Sequence, residues 1–150
     1  MNLRFAKLSA TVFGVGYLPI APGTWASLVS LGAWYLIFQY QSINPIWQIA
    51  LISLSIVIGL WSSIRLEKEW GKDPSKIVID EWAGMWITLA FLPVELKSLT
   101  LAFIVFRILD IWKPLFIRRA ERFKGGWGVM MDDIFAGIIG NIFVRILLWI

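Results

Sequence analysis

The sequence predicts an all-α, polytopic membrane bundle of about five spans, preceded by a possible re-entrant or interfacial N-terminal segment. Three observations predict it. The 150 residues are 59% hydrophobic with ten tryptophans and only 16% charged residues, where soluble domains carry about 25%. Apolar residues gather into stretches long enough to cross hydrocarbon, which takes roughly 17–25 helical residues. The basic residues alternate between the connectors. Mean hydropathy is +0.74, and no repeat or long linker divides the chain, so residues 1–150 form a single domain.

The elements follow in order. "LSATVFGVGYLPIAPGT" has a short apolar run and no small-residue cleavage site, so residues 8–23 read as interfacial or re-entrant rather than as a removed signal. The spans are Thr24 to Tyr40, Ile46 to Ile64, Ile77 to Leu92, the weaker Ser98 to Trp112, and Met131 to Ile150. "QSINP", "RLEKEWGKDPSK", "PVELKS" and "KPLFIRRAERFKGGWG" connect them. Asp73-Pro74 predicts the start of the third helix, with a capping aspartate followed by proline in the first turn. Pro114 ends or bends the fourth.

Arg4 and Lys7 precede the first span, Arg65, Lys68, Lys72 and Lys76 lie between the second and third, and Lys113, Arg118, Arg119, Arg122 and Lys124 lie between the fourth and fifth. The intervening connectors hold none in Gln41 to Pro45 and Lys97 alone after the third span. The positive-inside rule therefore places the three basic regions in the cytoplasm. The net charge of +4 suits anionic phospholipid headgroups, and no basic stripe beyond "KPLFIRRAERFK" points to nucleic acid.

This topology brings Asp80, Glu81, Asp110, Asp132 and Asp133 to one membrane face, together with "PIAPGTWASL". Each carboxylate inside a span costs roughly 2.5–3.5 kcal/mol on the insertion scale, so five near one boundary want a common cause. Asp80, Glu81, Gly84 and Thr88 share adjoining helical positions, and Asp133, Gly137, Asn141 and Arg145 form a thin polar stripe. Arg107, Asp110 and Lys113 share another face. Plainer roles stay open: interfacial pairing of Asp80 and Glu81 with Lys72 or Lys76, mutual neutralisation of Arg107 and Asp110, and helix capping by one of Asp132 and Asp133. Gly125, Gly126 and Gly128 read as a loop whose N–H groups can face an anion.

Clustered carboxylates call for a cation, and oxygen-only ligation selects Mg²⁺, Mn²⁺ or Ca²⁺. Mg²⁺ completes its shell with water and phosphate oxygens, which points to a phosphorylated substrate, with Arg107 and Lys113 supplying positive charge. The chain has neither His nor Cys, which removes phosphohistidine and phosphocysteine intermediates, and no DxDxT-like run offers an aspartyl nucleophile. The expected nucleophile is a metal-positioned water.

"GVGYLPIAPGTWASL", "KDPSKIVIDEWAGMW", "FRILDIWKP" and "GGWGVMMDDIFAG", in this order and over most of the chain, resemble the phosphatidylglycerophosphatase A family. The resemblance implies an all-helical, Mg²⁺-dependent phosphatase of the bacterial inner membrane, with phosphatidylglycerophosphate as substrate and phosphatidylglycerol and phosphate as products, working at the cytoplasmic face. It implies catalytic roles for Asp80, Glu81, Asp110 and Asp133, and metal ligation by Asp80, Glu81, Asp132 and Asp133. It also associates Pro22, Gly23, Thr24 and Lys113 with the same pocket, and the expected substrate contacts are Thr24, Arg107, Lys113, Gly125, Gly126 and Gly128. Two positions depart from the family pattern: Ala26, where glycine is usual, and Phe116, where a second proline often follows "KP". A CDP-alcohol-type phosphatidyltransferase and a non-enzymatic transporter are the alternatives. The former lacks its DG…AR…G…D…D pattern, and the latter is disfavoured because the carboxylates do not continue across the membrane. The sequence leaves the oligomeric state open.

Overall fold

The computed structural model describes residues 2–39, 44–71, 74–114, 117 and 125–149, and these form helices without strands. The helices are α1 (Leu3–Ala10), α2 (Pro22–Phe38), α3 (Pro45–Trp70), α4 (Ile79–Leu89), α5 (Leu96–Trp112) and α6 (Gly126–Trp149). A single 3₁₀ turn, Val15–Tyr17, lies between α1 and α2. Proline opens both α2 and α3, where its missing N–H costs nothing. Asn44 caps α3 through Ile46 N–H at 2.9 Å.

Helices α2 to α6 fall on the five apolar stretches, but their lengths differ from the expected spans. Among the described residues only α3 is long and apolar enough to cross a membrane. The eleven residues of α4 extend about 16 Å, half of a roughly 30 Å hydrocarbon layer. Nor does α4 begin at Pro74. Residues 75 and 76 form a turn and residues 77 and 78 are irregular, and Val78 donates its N–H to Ala10 O at 2.8 Å instead of to a preceding helical carbonyl. Asp73, its expected cap, lies outside the described residues, as do Lys72, Phe116, Arg118, Arg119, Arg122 and Lys124. The N-terminal segment thus has a structural task. It packs α1 on α3 and holds the entry to α4, with Gly16 so close that a Cβ there would stand 2.0 Å from Lys76 O.

From α2 to α6, helices successive in the chain alternate in direction. Gly23 of α2 meets Glu81 at the start of α4, and Trp34 packs on Trp86 further along both, so α2 and α4 are parallel. Gly59 of α3 lies by Ile79 while Gln48 reaches Phe91, so α3 runs the other way. Phe106 of α5 touches Gly84 and Lys113 reaches Asp132, which makes α5 antiparallel as well. Helices α4 and α6 are parallel and share the most extensive contact in the fold. One apolar core joins Trp34, Met85, Trp86, Leu89 and Phe106; a second, with Leu66, Val78, Val129 and Met130, supports the carboxylate end.

Candidate active site

The start of α4, the second turn of α6, the end of α5 and the start of α2 converge. Because α4 starts at Ile79, Asp80 and Glu81 fall in its first turn, where the helix dipole favours negative charge. Asp80, Glu81 and Asp133 each place an oxygen within 4.8 Å of the other two. Asp110 lies within electrostatic reach of Glu81, Asp132 and Asp133, so the structure gathers all five carboxylates picked out in the sequence.

Close backbone approach makes this possible. A Cβ on Gly23 would stand 2.0 Å from Glu81 Oε1, and one on Gly84 would stand 2.7 Å from Asp133 O. The carbonyl of Gly84 would in turn be 2.6 Å from a Cβ on Gly137. At Gly84 and Gly137 no side chain larger than hydrogen fits without moving a helix, and at Gly23 a Cβ would displace the Glu81 carboxylate.

Among the described residues, two cations face the five carboxylates. Lys113 Nζ pairs with Asp132 Oδ2 at 2.5 Å, and Arg107 Nη1 with Asp110 Oδ2 at 2.5 Å. Lys113, in the left-handed conformation after α5, turns back toward α6 just before Pro114. Arg107 also donates to Ser27 Oγ at 3.4 Å, and that buried hydroxyl donates to Gly23 O at 2.9 Å. Ser27 was not singled out from sequence. Its signal is the four-residue spacing from Gly23, but a serine in an apolar helix more often bonds only its own backbone.

The cations do not saturate the acids. Asp80 Oδ1, Glu81 Oε2, Asp132 Oδ1 and Asp133 Oδ2 are buried without a hydrogen-bond partner among the described residues, as is Arg107 Nε. Buried polar atoms are nearly always paired, so orphaned carboxylate oxygens aimed together ask for a ligand. Anionic oxygens with no nitrogen or sulfur donor among them fit a hard divalent cation such as Mg²⁺.

The glycine-rich stretch is placed differently from its expected loop. Gly126 and Gly128 lie inside α6, and Gly125, with φ +65°, precedes it. A Cβ on Gly126 would meet Ile64 N at 2.7 Å, and Gly128 gives its N–H to Gly125 O at 3.0 Å. From Gly126 to Asp132 the helix climbs about 9 Å. The packing of α6 on α3 accounts for Gly126, and the start of a helix replaces the loop. Asp132 and Asp133 accordingly sit inside α6 rather than at its cap. Thr24 follows Gly23 in the first turn of α2.

The phosphatidylglycerophosphatase A family model matches residues 8–148. A Bacteroides thetaiotaomicron protein, named as a candidate phosphatidylinositol-3-phosphatase, is 40% identical over 95% of this chain and 93% of its own. Phosphatidylglycerophosphatase A of Escherichia coli is 43% identical, covering 88% of this chain and 77% of its own. The Haemophilus influenzae protein of that name is 32% identical, covering 91% and 85%. No solved structure matches. With the family pattern running through α2, α4, α5 and α6 to the carboxylates just described, the chain belongs to the phosphatidylglycerophosphatase A family, a family of phosphatases.

Proposed function

We propose that this chain is a multi-pass enzyme of the bacterial cytoplasmic membrane that hydrolyses phosphatidylglycerophosphate to phosphatidylglycerol and phosphate at the cytoplasmic face. The observation that carries the chemistry is the convergence of Asp80, Glu81 and Asp133 with orphaned oxygens beside Arg107 and Lys113. Family membership favours a phosphatase over a phosphatidyltransferase or a transporter.

Asp80, Glu81 and Asp133, with Asp132 beside them, would hold Mg²⁺. Bound there, the ion would supply Lewis-acid polarisation of the phosphoryl group and a more acidic water. Arg107, oriented by Asp110 and Ser27, and Lys113, oriented by Asp132, balance the charge of the phosphomonoester. Water attacks phosphorus in line, the bond from phosphorus to the glycerol oxygen breaks, and a carboxylate of the cluster takes the water's proton, which ends on the departing alkoxide. Single displacement inverts configuration at phosphorus. The absence of His and Cys supports it.

Membrane insertion is supported by the exterior. Leu36, Ile46, Trp47, Val57, Ile108, Ile142 and Ile146 are exposed, a breadth of apolar surface that water-soluble monomers rarely show. Only 22% of the apolar stretch of α3 is buried, unlike the core helix of a soluble protein. The alternating helix directions suit five passages, with the site end at the basic connectors. Substitutions Lys72→Cys and Arg118→Cys, in a chain with no cysteine, should react with an impermeant thiol reagent only from the cytoplasmic side.

The name of the Bacteroides relative supports a second headgroup, phosphatidylinositol 3-phosphate. Both lipids present a phosphomonoester near the interface. The test is phosphate release by purified protein from either lipid, with Mg²⁺ and with EDTA. Release from phosphatidylglycerophosphate that needs the ion is expected; release only from the inositol lipid would move the substrate, and release from neither would overturn the reading.

A further inference from the structure

We infer that Asn141 is a positioning residue: by reading the last carbonyls of α4, it fixes the register in which α4 and α6 bring Asp80 and Asp133 together. The two stripes noted in the sequence meet face to face. Asp80 stands with Asp133, Gly84 with Gly137 and Thr88 with Asn141, each pair one helical turn beyond the last. The carboxylates occupy one end of this seam and Asn141 the other.

The middle of the seam contributes little polar register of its own. Gly84, Gly137 and Gly140 let the backbones approach, and the one polar contact there is the long 3.4 Å bond that Thr88 Oγ1 donates to Gly137 O. A slip of one turn would displace the carboxylates by about 5.4 Å. That exceeds the 4.8 Å within which their oxygens now gather.

The far end supplies the lock. A helix leaves its last carbonyls unpaired, and α4 stops at Leu89 with Thr88 and Ala90 both buried, where an unpaired carbonyl is costly. Asn141 Nδ2 donates to Thr88 O at 2.8 Å and to Ala90 O at 2.8 Å. Arg145 donates through Nη2 to Ala90 O at 3.1 Å and through Nε to Asn141 Oδ1 at 2.8 Å, which turns the amide so that its NH₂ faces α4. From the opposite side Gln48 Oε1 accepts Phe91 N–H at 2.7 Å. These carbonyls are free at only one level of α4, so Asn141 finds its partners in a single register.

The inference rests on the reading of the carboxylates as a divalent-metal site, and one measurement is chosen to be independent of it. Substitutions Asp80→Cys and Asp133→Cys give a pair whose oxidation to a disulfide requires close and specific geometry. Adding Asn141→Leu should slow that cross-link several-fold, whether or not a metal binds. In the otherwise native enzyme, Asn141→Leu should raise the Mg²⁺ concentration for half-maximal phosphate release about tenfold, as loss of an outer positioning contact does. Arg145→Met, which leaves the amide but not its orienting partner, should shift it in the same direction by less, and Asn141→Gln should restore part of the loss. If Asn141→Leu protein is folded and both its cross-linking rate and its Mg²⁺ requirement match the parent, the inference fails. It fails equally if activity falls only in step with the folded fraction in Asn141→Leu and Arg145→Met, with the Mg²⁺ requirement of the survivors unchanged. An altered cross-link with no Mg²⁺ dependence in any variant would uphold the register lock and overturn the metal reading.

Discussion

At one end of the α4/α6 seam, Asp80, Asp132 and Asp133 carry buried oxygens with no hydrogen-bond partner among the described residues; at the other, Thr88, Ala90, Asn141 and Arg145 satisfy one another. The same two helices build both. The difference separates what a polar group in an apolar fold is for. A satisfied network specifies structure, while an unsatisfied cluster of like charge opposes folding until a ligand joins it. Substitutions at the two ends should therefore move stability in opposite directions.

The largest effect is expected at the carboxylate end. Asp80→Asn and Asp133→Asn should each lower phosphate release by at least about a hundredfold, the scale on which positioned acid–base groups contribute. In EDTA the same variants should melt above the parent, because a repelling charge has gone. Mg²⁺ should raise the parent's Tm, by stabilising only the folded state that binds it, and should raise the variants' Tm less. Thermal melts with and without the ion, beside activity assays, check both signs. A variant that loses activity and Tm together in EDTA would show that its carboxylate is structural.

Next come the cations. Arg107→Met leaves Asp110 and Ser27 without their partner, and Lys113→Met does the same to Asp132. Both should reduce kcat/KM by about tenfold to a hundredfold, the range of a lost charge-assisted hydrogen bond of 1.5–3 kcal/mol. Arg107→Lys should recover little, because a point charge cannot serve Asp110, Ser27 and a phosphate from one planar fork. Full recovery would reduce Arg107 to a bulk positive charge.

Much of this contrast is legible in the sequence. Carboxylates are so costly in apolar stretches that Asp80, Glu81, Asp110, Asp132 and Asp133 stand out without a structure, and the four-residue periods mark both halves of the seam. The start of α4 is not legible, since it depends on Val78 reaching Ala10 O across the fold. Neither is the placing of Gly126, whose partner is the backbone of α3. Gln48 and Ser27 are single polar residues in apolar runs, and nothing local distinguishes them from a serine or glutamine bonded within its own helix.

The middle of the seam gives a smaller effect that joins its two ends. Gly84→Ala puts a methyl group 2.7 Å from Asp133 O and 2.6 Å from a Phe106 ring carbon. Overpacking of this kind costs about 1–3 kcal/mol, which a thermal melt will read as a lower Tm. Spreading the helices also parts Asp80 from Asp133, so the Mg²⁺ requirement should rise. An unchanged requirement at reduced Tm would uncouple the glycine contact from the site.

The smallest effect is expected at Gly125, where two accounts of the glycine-rich stretch diverge. Its φ of +65° disfavours any residue with a Cβ, so Gly125→Ala should cost about 1–2 kcal/mol. The nearest obstacle to that methyl is Glu67 Oε2 at 2.9 Å, the far end of a flexible side chain that can swing away. If the stretch serves to start α6 against α3, the variant should melt slightly earlier and keep its KM for phosphatidylglycerophosphate, since the carboxylates lie nearly two turns further along the helix. If it cradles the substrate's phosphate, KM should rise while Tm hardly changes. The packing of Gly126 against Ile64 favours the first outcome. Titrating substrate at fixed, saturating Mg²⁺ distinguishes them, and a several-fold increase in KM at unaltered Tm would return Gly125 to the substrate site.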